Sequence, residues 1–218
     1  MKTCLCLPLS NWLCTAIVLG LAGGTYSGCQ PVQQESSGDA SISIQQEQVS
    51  EDSPEEPSIP LSDGFDFPVA PPDAKAYYNA NPFGTDLHLG DDWNGVGGGN
   101  SDLGDPVYSI SHGRVVQAKD HGGGWGKVIR IVHRLDSSMV GAQVESLYAH
   151  LDTLLVQTGT EVYRGQQIGT IGNADGVYYA HLHLEIRTET GLPLGGGYSS
   201  DTTGYTDPSK FIQQHRPK

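Results

Sequence analysis

The sequence predicts a mainly β domain built on an antiparallel sheet, and three observations support that fold class. Glycine is abundant, with 29 among 218 residues, while charged residues make up only 17% of the chain. Short apolar and β-branched runs alternate with turn signals after residue 62. No segment there predicts a helix of ten or more residues. Many short strands divided by glycine-rich turns are typical of an antiparallel β domain.

Six strands are predicted between the turns, and segment 208–215 predicts a short terminal helix. The turn signals include three consecutive glycines at 122–124 and the polar segment 173–176. The predicted strands are 106–110, 113–119, 127–133, 144–151, 167–171 and 181–187.

Residues 1–28 are predicted to be a lipoprotein-type signal peptide that directs export. Lys2 precedes an apolar run of 11 residues at 12–22. That length suits a signal-peptide core of roughly 7–15 residues and is short of the roughly 20 needed to span a membrane. A buried helix is the alternative, but no polar face alternates with the apolar one.

Cys29 is the predicted site of lipid attachment. The segment Tyr26-Ser27-Gly28-Cys29 resembles the lipobox of bacterial lipoproteins, in which the cysteine is acylated and becomes the mature N-terminus. Gln30 rather than aspartate follows, which favours the outer membrane, facing the periplasm, of a two-membrane envelope. Ordinary cleavage with a free cysteine is the alternative and predicts a secreted protein. The other three cysteines lie in the removed segment, so neither a disulfide nor a thiolate metal site is expected.

Residues 29–62 are predicted to form an acidic disordered tether ahead of a folded domain at 63–218. Positions 30–60 hold seven acidic residues, no lysine or arginine, and no aromatic residue. Such a stretch buries too little apolar area to offset its conformational entropy. The whole chain has a net charge of −13, which excludes a nucleic-acid binder that uses a broad basic surface. We expect a monomer whose membrane contact is the lipid on Cys29.

Two histidines of the segment HLHLEIR are the strongest functional signal. His181 and His183 are two residues apart in a predicted strand, so both rings face the same side. Such a pair can place one ring on a metal ion and the other ring beside the open coordination position of that ion. Two solvent-facing histidines on a half-buried strand are the alternative.

Two other segments contain candidate metal-ligating or catalytic residues. His88 and Asp92 lie four residues apart, and Gly90 between them permits a tight loop in which the side chains converge. A polar surface turn is the alternative. His150 lies in the segment SLYAHL, where Tyr148 is expected on the same strand face. A hydrogen-bonded core histidine is the alternative there.

The three segments together supply the donors of a catalytic zinc site. His88, Asp92 and one histidine of the 181/183 pair make three protein ligands, which leaves the fourth position of the metal for water. Two histidines then remain for proton transfer and transition-state stabilisation.

The ordered set HLGDD, YAH and HLH resembles the lysostaphin/LytM-type zinc endopeptidases, which cut peptidoglycan peptides. The linking segments GDPVYSISHGRVV, GWGKVIRIVH and VYRGQQIGTIGN are similar to that family as well, and the resemblance covers about 65–210. It implies an antiparallel β-sheet core of the barrel-sandwich, duplicated hybrid motif type, with loops that wall a groove. The loop through 94–105 is longer than in the shortest members.

The resemblance also implies roles for individual residues. His88, Asp92 and His183 match the Zn²⁺ ligands, while His150 and His181 match the non-ligand catalytic pair. The implied reaction is hydrolysis of peptide cross-links or stem peptides of peptidoglycan in the cell envelope. The alternative is an inactive regulator that binds and activates another wall hydrolase. A purely structural wall-binding lipoprotein would leave the histidine set without a reason.

Overall fold

The computed structural model describes residues 58–136 and 143–217, and the predicted antiparallel β fold is confirmed there. The predicted signal peptide, 1–28, and positions 29–57 of the predicted tether lie outside the described residues. Within them, no helix is both long and apolar enough to span a membrane. The elements are β1 (Tyr77–Asn81), β2 (Asp91–Gly95), β3 (Pro106–Tyr108), β4 (Gly113–Asp120), β5 (Lys127–Arg134), β6 (Gln143–Leu154), β7 (Glu161–Val162), β8 (Gln167–Ile171), β9 (Leu182–Arg187), β10 (Tyr205–Thr206) and α1 (Pro208–Gln214).

The strands form one branched sheet in which neighbouring strands are antiparallel. The main order is β1-β2-β9-β6-β5-β4-β7, β10 adds to β9, and β3 adds to β8, which in turn pairs with β6. The 12-residue β6 pairs with β9 as far as Ala149 and with β8 from Leu151 onward. The branch of the sheet therefore lies at His150, between the two ladders.

Strand β9 is buried on both faces, and its two faces differ in chemistry. Leu182, Leu184 and Ile186 pack into the main hydrophobic core. The opposite face carries His183, Glu185 and Arg187, and all three side chains are buried. Buried charges are costly unless paired. Arg187 meets this requirement because its guanidinium lies 2.7 Å from the Glu185 carboxylate.

All six predicted strands are present, and the terminal helix is present as α1. Asp207 caps α1 by accepting a hydrogen bond from the Lys210 N–H at 3.0 Å, and Pro208 occupies the first turn. Four strands were not predicted, namely β1, β2, β7 and β10. Strand β2 reads DDWNG, which has little intrinsic strand preference, so its conformation depends on pairing with β1 and β9.

The first described residues are joined to the sheet. Leu61 forms a parallel bridge with Arg134, and the Ser62 N–H donates to the Arg134 carbonyl at 2.8 Å. Residues 61 and 62, just ahead of the predicted boundary at 63, therefore already contact the sheet.

A polar chain of side chains is buried beside the core. His133 donates from Nδ1 to the His112 carbonyl at 2.8 Å, and its Nε2 accepts from the Ser146 hydroxyl at 2.7 Å. The Ser146 hydroxyl also lies 3.1 Å from the Tyr148 hydroxyl. Burial lowers the pKa of His133 to about 4, so the fold holds a neutral ring.

His133 is expected to make the stability of the domain fall in acid. Between the pKa of about 4 in the fold and 6.5 in the unfolded chain, the unfolded state binds more protons, so acidification favours unfolding. We expect the stability advantage of the wild type over His133→Gln to shrink by about 3 kcal/mol from pH 7 to pH 4. Urea unfolding at both pH values measures this, and an advantage that does not change with pH would contradict it.

Candidate functional site

The three predicted ligand residues converge on one point beside the pairing of β2 with β9. The Nδ1 atom of His183 lies 2.9 Å from Oδ1 of Asp92 and 3.0 Å from Nε2 of His88. The same Asp92 oxygen lies 3.3 Å from His88 Nε2. His88 and His183 are buried, and Asp92 is partly buried. A group of this kind is able to hold a metal ion, and it is the one such group within the described residues.

The pairing of β2 with β9 brings these residues together. Asp92 lies directly opposite His183 in the ladder. His88 lies three residues before the start of β2 and forms an antiparallel bridge with Tyr198. The chain bends at Leu89 and Gly90, and Gly90 keeps an ordinary rather than a left-handed backbone. Glycine is required there for space, since a Cβ atom would lie 2.9 Å from Cε1 of His183 and still closer to the Leu184 carbonyl.

The two adjacent aspartates take opposite roles. Asp91 turns away from the cluster, and its carboxylate accepts from the Phe83 N–H at 3.0 Å and from the Ser209 hydroxyl at 2.6 Å. Strand alternation explains this separation, because consecutive side chains point to opposite faces. Asp92 is therefore the aspartate of the pair that joins the histidine cluster.

The outer nitrogens of the two clustered histidines are fixed by acceptors. Nδ1 of His88 lies 2.9 Å from the Asn81 carbonyl, and Nε2 of His183 lies 3.2 Å from the Glu185 carboxylate. An N–H at each outer position leaves the inner nitrogen with a lone pair in the neutral ring. Both lone pairs then face the Asp92 carboxylate, an arrangement that a cation or an added proton stabilises.

The pKa values reflect this arrangement. Burial favours neutral His183, but the nearby carboxylates of Asp92 and Glu185 outweigh it and raise the pKa of His183 to about 9. Burial also opposes ionisation of Asp92, yet hydrogen bonds from His183 and His88 hold its pKa far below the usual range. Without a metal, protonated His183 bridges two carboxylates, so a metal that binds Nδ1 must replace a proton.

The other two predicted histidines lie beside the cluster. The His150 ring centroid is 4.7 Å from that of His181 and 5.6 Å from that of His183. Nδ1 of His181 donates to the Tyr179 carbonyl at 2.8 Å, and its Nε2 lies 3.9 Å from Asp92 Oδ1. His181 and His183 thus line one cleft, as their spacing predicts.

His150 reaches the cleft through an unusual backbone conformation. Ala149 is opposite His183, so regular alternation would place His150 with Tyr148 on the other face. His150 instead has φ of +61°, which turns its ring into the cleft, while Tyr148 stays in the core. The prediction that Tyr148 and His150 share a face is therefore wrong. Such strain in a non-glycine residue is characteristic of functional sites.

His150 is held neutral and incompletely paired. Burial, together with the positive charge that its neighbours His183 and His181 carry when protonated, lowers the pKa of His150 to about 3. Its Nδ1 atom is buried and has no hydrogen-bond partner within the described residues. A buried nitrogen of this kind is available to water or to a bound ligand.

The cleft over the cluster has a volume of about 200 Å³. One side is formed by Trp125, whose indole N–H donates to the Gly195 carbonyl at 3.0 Å. Tyr178 and Tyr198 form other parts of the wall. Trp93, in contrast, is buried in the core. Tyr198 and the Asn81 carbonyl were not predicted, because neither lies in a motif and Asn81 acts through its backbone.

The comparison with protein families identifies the type of domain. The sequence profile of peptidase family M23 matches residues 92–194. Lipoprotein NlpD of Yersinia enterocolitica is 40% identical over 84 residues, which are 38% of this chain and 78% of that protein. NlpD of Escherichia coli, named a murein hydrolase activator, is 39% identical over 84 residues, or 38% of this chain and 20% of that protein.

Other matches extend the comparison. Peptidoglycan DD-endopeptidase ShyA of Vibrio cholerae is 37% identical over 112 residues, which are 51% of this chain and 24% of that protein. Among solved structures, the SpoIIQ–SpoIIIAH pore-forming complex contains a chain that is 20% identical with a TM-score of 0.51. That match covers 71% of this chain and 92% of the other, and it concerns the fold alone.

Proposed function

The chain belongs to peptidase family M23, and on that premise we propose that it is a zinc endopeptidase that hydrolyses peptide cross-links or stem peptides of peptidoglycan. The observation that carries this proposal is the convergence of His88, Asp92 and His183 beside two further histidines. Such an arrangement would supply both the ligands of a metal centre and groups that transfer protons.

The donor set suits zinc. Neutral imidazole and carboxylate are ordinary zinc ligands, with bonds of about 2.0–2.2 Å. The three donor atoms are separated by 2.9, 3.0 and 3.3 Å. These separations approach the roughly 3.3 Å expected between ligand atoms on a tetrahedral zinc with such bonds. Three protein ligands would leave one coordination position open, as catalysis requires.

The histidines of the cleft supply the acid–base chemistry. Bound zinc would act as a Lewis acid towards the scissile carbonyl and lower the pKa of water near it. His181 donates from Nδ1 to Tyr179, which directs the Nε2 lone pair towards the cleft, where it can accept the proton of the attacking water. His150 is neutral and its Nδ1 is unpaired, so it can hydrogen-bond the developing oxyanion or the leaving amine.

Zinc binding at neutral pH is expected to release about one proton. His183 is protonated in the metal-free protein because the pKa of its ring is about 9. Its Nδ1 must lose that proton before it can bind zinc, so apparent zinc affinity should weaken as pH falls below about 9. Calorimetric titration in buffers of different ionisation enthalpy counts the protons, and buffer-independent heats would contradict the assignment of Nδ1 as a ligand.

A second candidate function is a non-catalytic regulator of another wall hydrolase. The name of the Escherichia coli NlpD, a murein hydrolase activator, favours this alternative. Metal analysis separates the two functions. Near-stoichiometric zinc in the purified, folded protein supports the endopeptidase, whereas a folded protein that takes up no zinc supports the regulator.

The domain would act from a membrane surface. We propose that Cys29 is acylated and that the protein is an exported envelope lipoprotein, held at the outer membrane and facing the periplasm. The lipobox-like segment that ends at Cys29 and the name lipoprotein given to the Yersinia NlpD support this proposal. Intact-mass measurement of the protein from membrane fractions should show acyl mass on Cys29, and a mature mass without acyl chains would contradict it.

A further inference from the structure

A second cleft adjoins the catalytic cleft, and the two share the side chains of His181 and Tyr178. Its volume is about 610 Å³, against about 200 Å³ for the catalytic cleft. Three asparagines line this space: Asn94 near the end of β2, Asn100 in the glycine-rich loop 95–105, and Asn173 in the loop before β9. The loop whose length departs from the shortest family members therefore contributes to a continuous extension of the active site.

The glycine-rich loop is a fixed wall. The buried Asp102 carboxylate accepts from the Gly95 N–H at 2.9 Å and so closes the loop at its start. Backbone hydrogen bonds at 2.8 Å link Gly104 and Asp105 to Ile171 at the end of β8. The Tyr77 hydroxyl donates to the Asp105 carboxylate at 2.6 Å. These contacts give the second cleft a defined shape in the absence of a ligand.

Three asparagine amides have one end fixed and the other end free. Asn94 donates to the Ala180 carbonyl at 3.2 Å, and Asn100 accepts from the Ala180 N–H at 2.8 Å. The Asn173 carbonyl oxygen accepts from the Gly176 N–H at 3.0 Å. The remaining end of each amide has no hydrogen-bond partner within the described residues. One free carbonyl and two free amino groups are thus available to a ligand.

The chemistry of this cleft selects for an uncharged peptide. No lysine, arginine, aspartate or glutamate lines it. The one basic side chain among the described residues that line it is His181, which the proposed mechanism uses as a neutral proton acceptor. A bound carboxylate would therefore lose hydration without gaining a permanent positive charge, whereas amide ends pair directly with peptide N–H and C=O groups. We propose that the second cleft binds the uncharged peptide segment on one side of the scissile bond, through the free amide ends of Asn94, Asn100 and Asn173. This assignment rests on the proposed endopeptidase function.

The test uses two cross-linked muropeptide dimers that differ only in whether the side-chain carboxyl group of the diamino acid is free or amidated. Binding is measured by calorimetry on the zinc-loaded full chain carrying His150→Ala, so that turnover does not interfere. We expect the amidated dimer to bind more tightly. In the same His150→Ala background, the additional substitution Asn173→Lys should tighten binding of the free-carboxylate dimer by about fivefold at low ionic strength. The free-carboxylate dimer should then bind more tightly than the amidated one. Gln157→Lys, an exposed position that lines neither cleft, is the matched control for net charge.

The outcomes separate this assignment from the proposed activity. Equal effects of Asn173→Lys and Gln157→Lys, or no measurable binding of either dimer, would overturn the cleft assignment. If the wild-type protein binds the dimers with the expected preference but leaves them uncut, the endopeptidase proposal fails while the cleft assignment stands. If the wild-type protein cleaves the dimers but Asn173→Lys leaves both affinities unchanged, the cleft assignment fails while the endopeptidase proposal stands.

Discussion

Replacing Asp92 with alanine is expected to remove zinc binding and to reduce peptidoglycan cleavage to the level of the chelated wild-type protein. Asp92 Oδ1 is within 3.3 Å of the inner nitrogens of both His88 and His183, so its loss removes one of the three proposed ligands. Loss of an outer partner of a ligand already costs about 10–100-fold in metal affinity, so loss of a ligand itself should cost at least about 100-fold. Zinc content and muropeptide release measure the two effects.

Asp86→Asn is the matched control for this variant. Asp86 is an exposed carboxylate just before His88, and asparagine tolerates its left-handed backbone. The Asp86→Asn variant should keep both zinc binding and peptidoglycan cleavage. Stoichiometric zinc in Asp92→Ala, at an affinity equal to that of the wild type, would show that Asp92 is not a ligand.

Replacing His150 with alanine is expected to keep zinc but slow turnover by roughly 10²–10⁴-fold, the usual contribution of a side chain that stabilises a developing oxyanion or transfers a proton. His150 lies outside the three-ligand cluster, and its ring is in contact distance of His181 in the cleft. The same phenotype is expected for His181→Ala. Initial rates at saturating substrate, together with zinc content, measure the effect.

Two controls keep this result interpretable. His150→Asn tests the ring separately from the strained backbone, because asparagine tolerates a φ of +61° better than alanine. His121→Ala removes an exposed ring that hydrogen-bonds to the Gln117 side chain and lines neither cleft, and it should leave turnover unchanged. Wild-type turnover in both His150→Ala and His181→Ala would remove these residues from the mechanism.

The sequence predicted the β fold well where strand chemistry is local. Strands such as β5 and β8 are rich in isoleucine and valine, and their predicted bounds agree with the structure within one residue. Strand β2 could not be predicted from DDWNG, since its conformation depends on distant partners in β9. The role of Gly90 was missed for the same reason, because the atoms that exclude a Cβ belong to β9.

The candidate site shows a similar division. The spacing of His181 and His183 placed both rings in one cleft, because strand alternation is a local rule. The left-handed backbone of His150 lies where β6 changes partners, a tertiary feature with no local signature. Glu185 contacts both His183 and Arg187, because the three side chains alternate onto the same face of β9.

The most direct test of the central claim is the mass of the muropeptides that the wild-type protein releases from purified peptidoglycan. We predict that cross-linked or stem peptides gain one water at a single peptide bond, that a chelator stops this reaction, and that added zinc restores it. The same products in the presence of the chelator, or intact peptidoglycan after incubation with the folded, zinc-loaded protein, would contradict the assignment of a zinc endopeptidase.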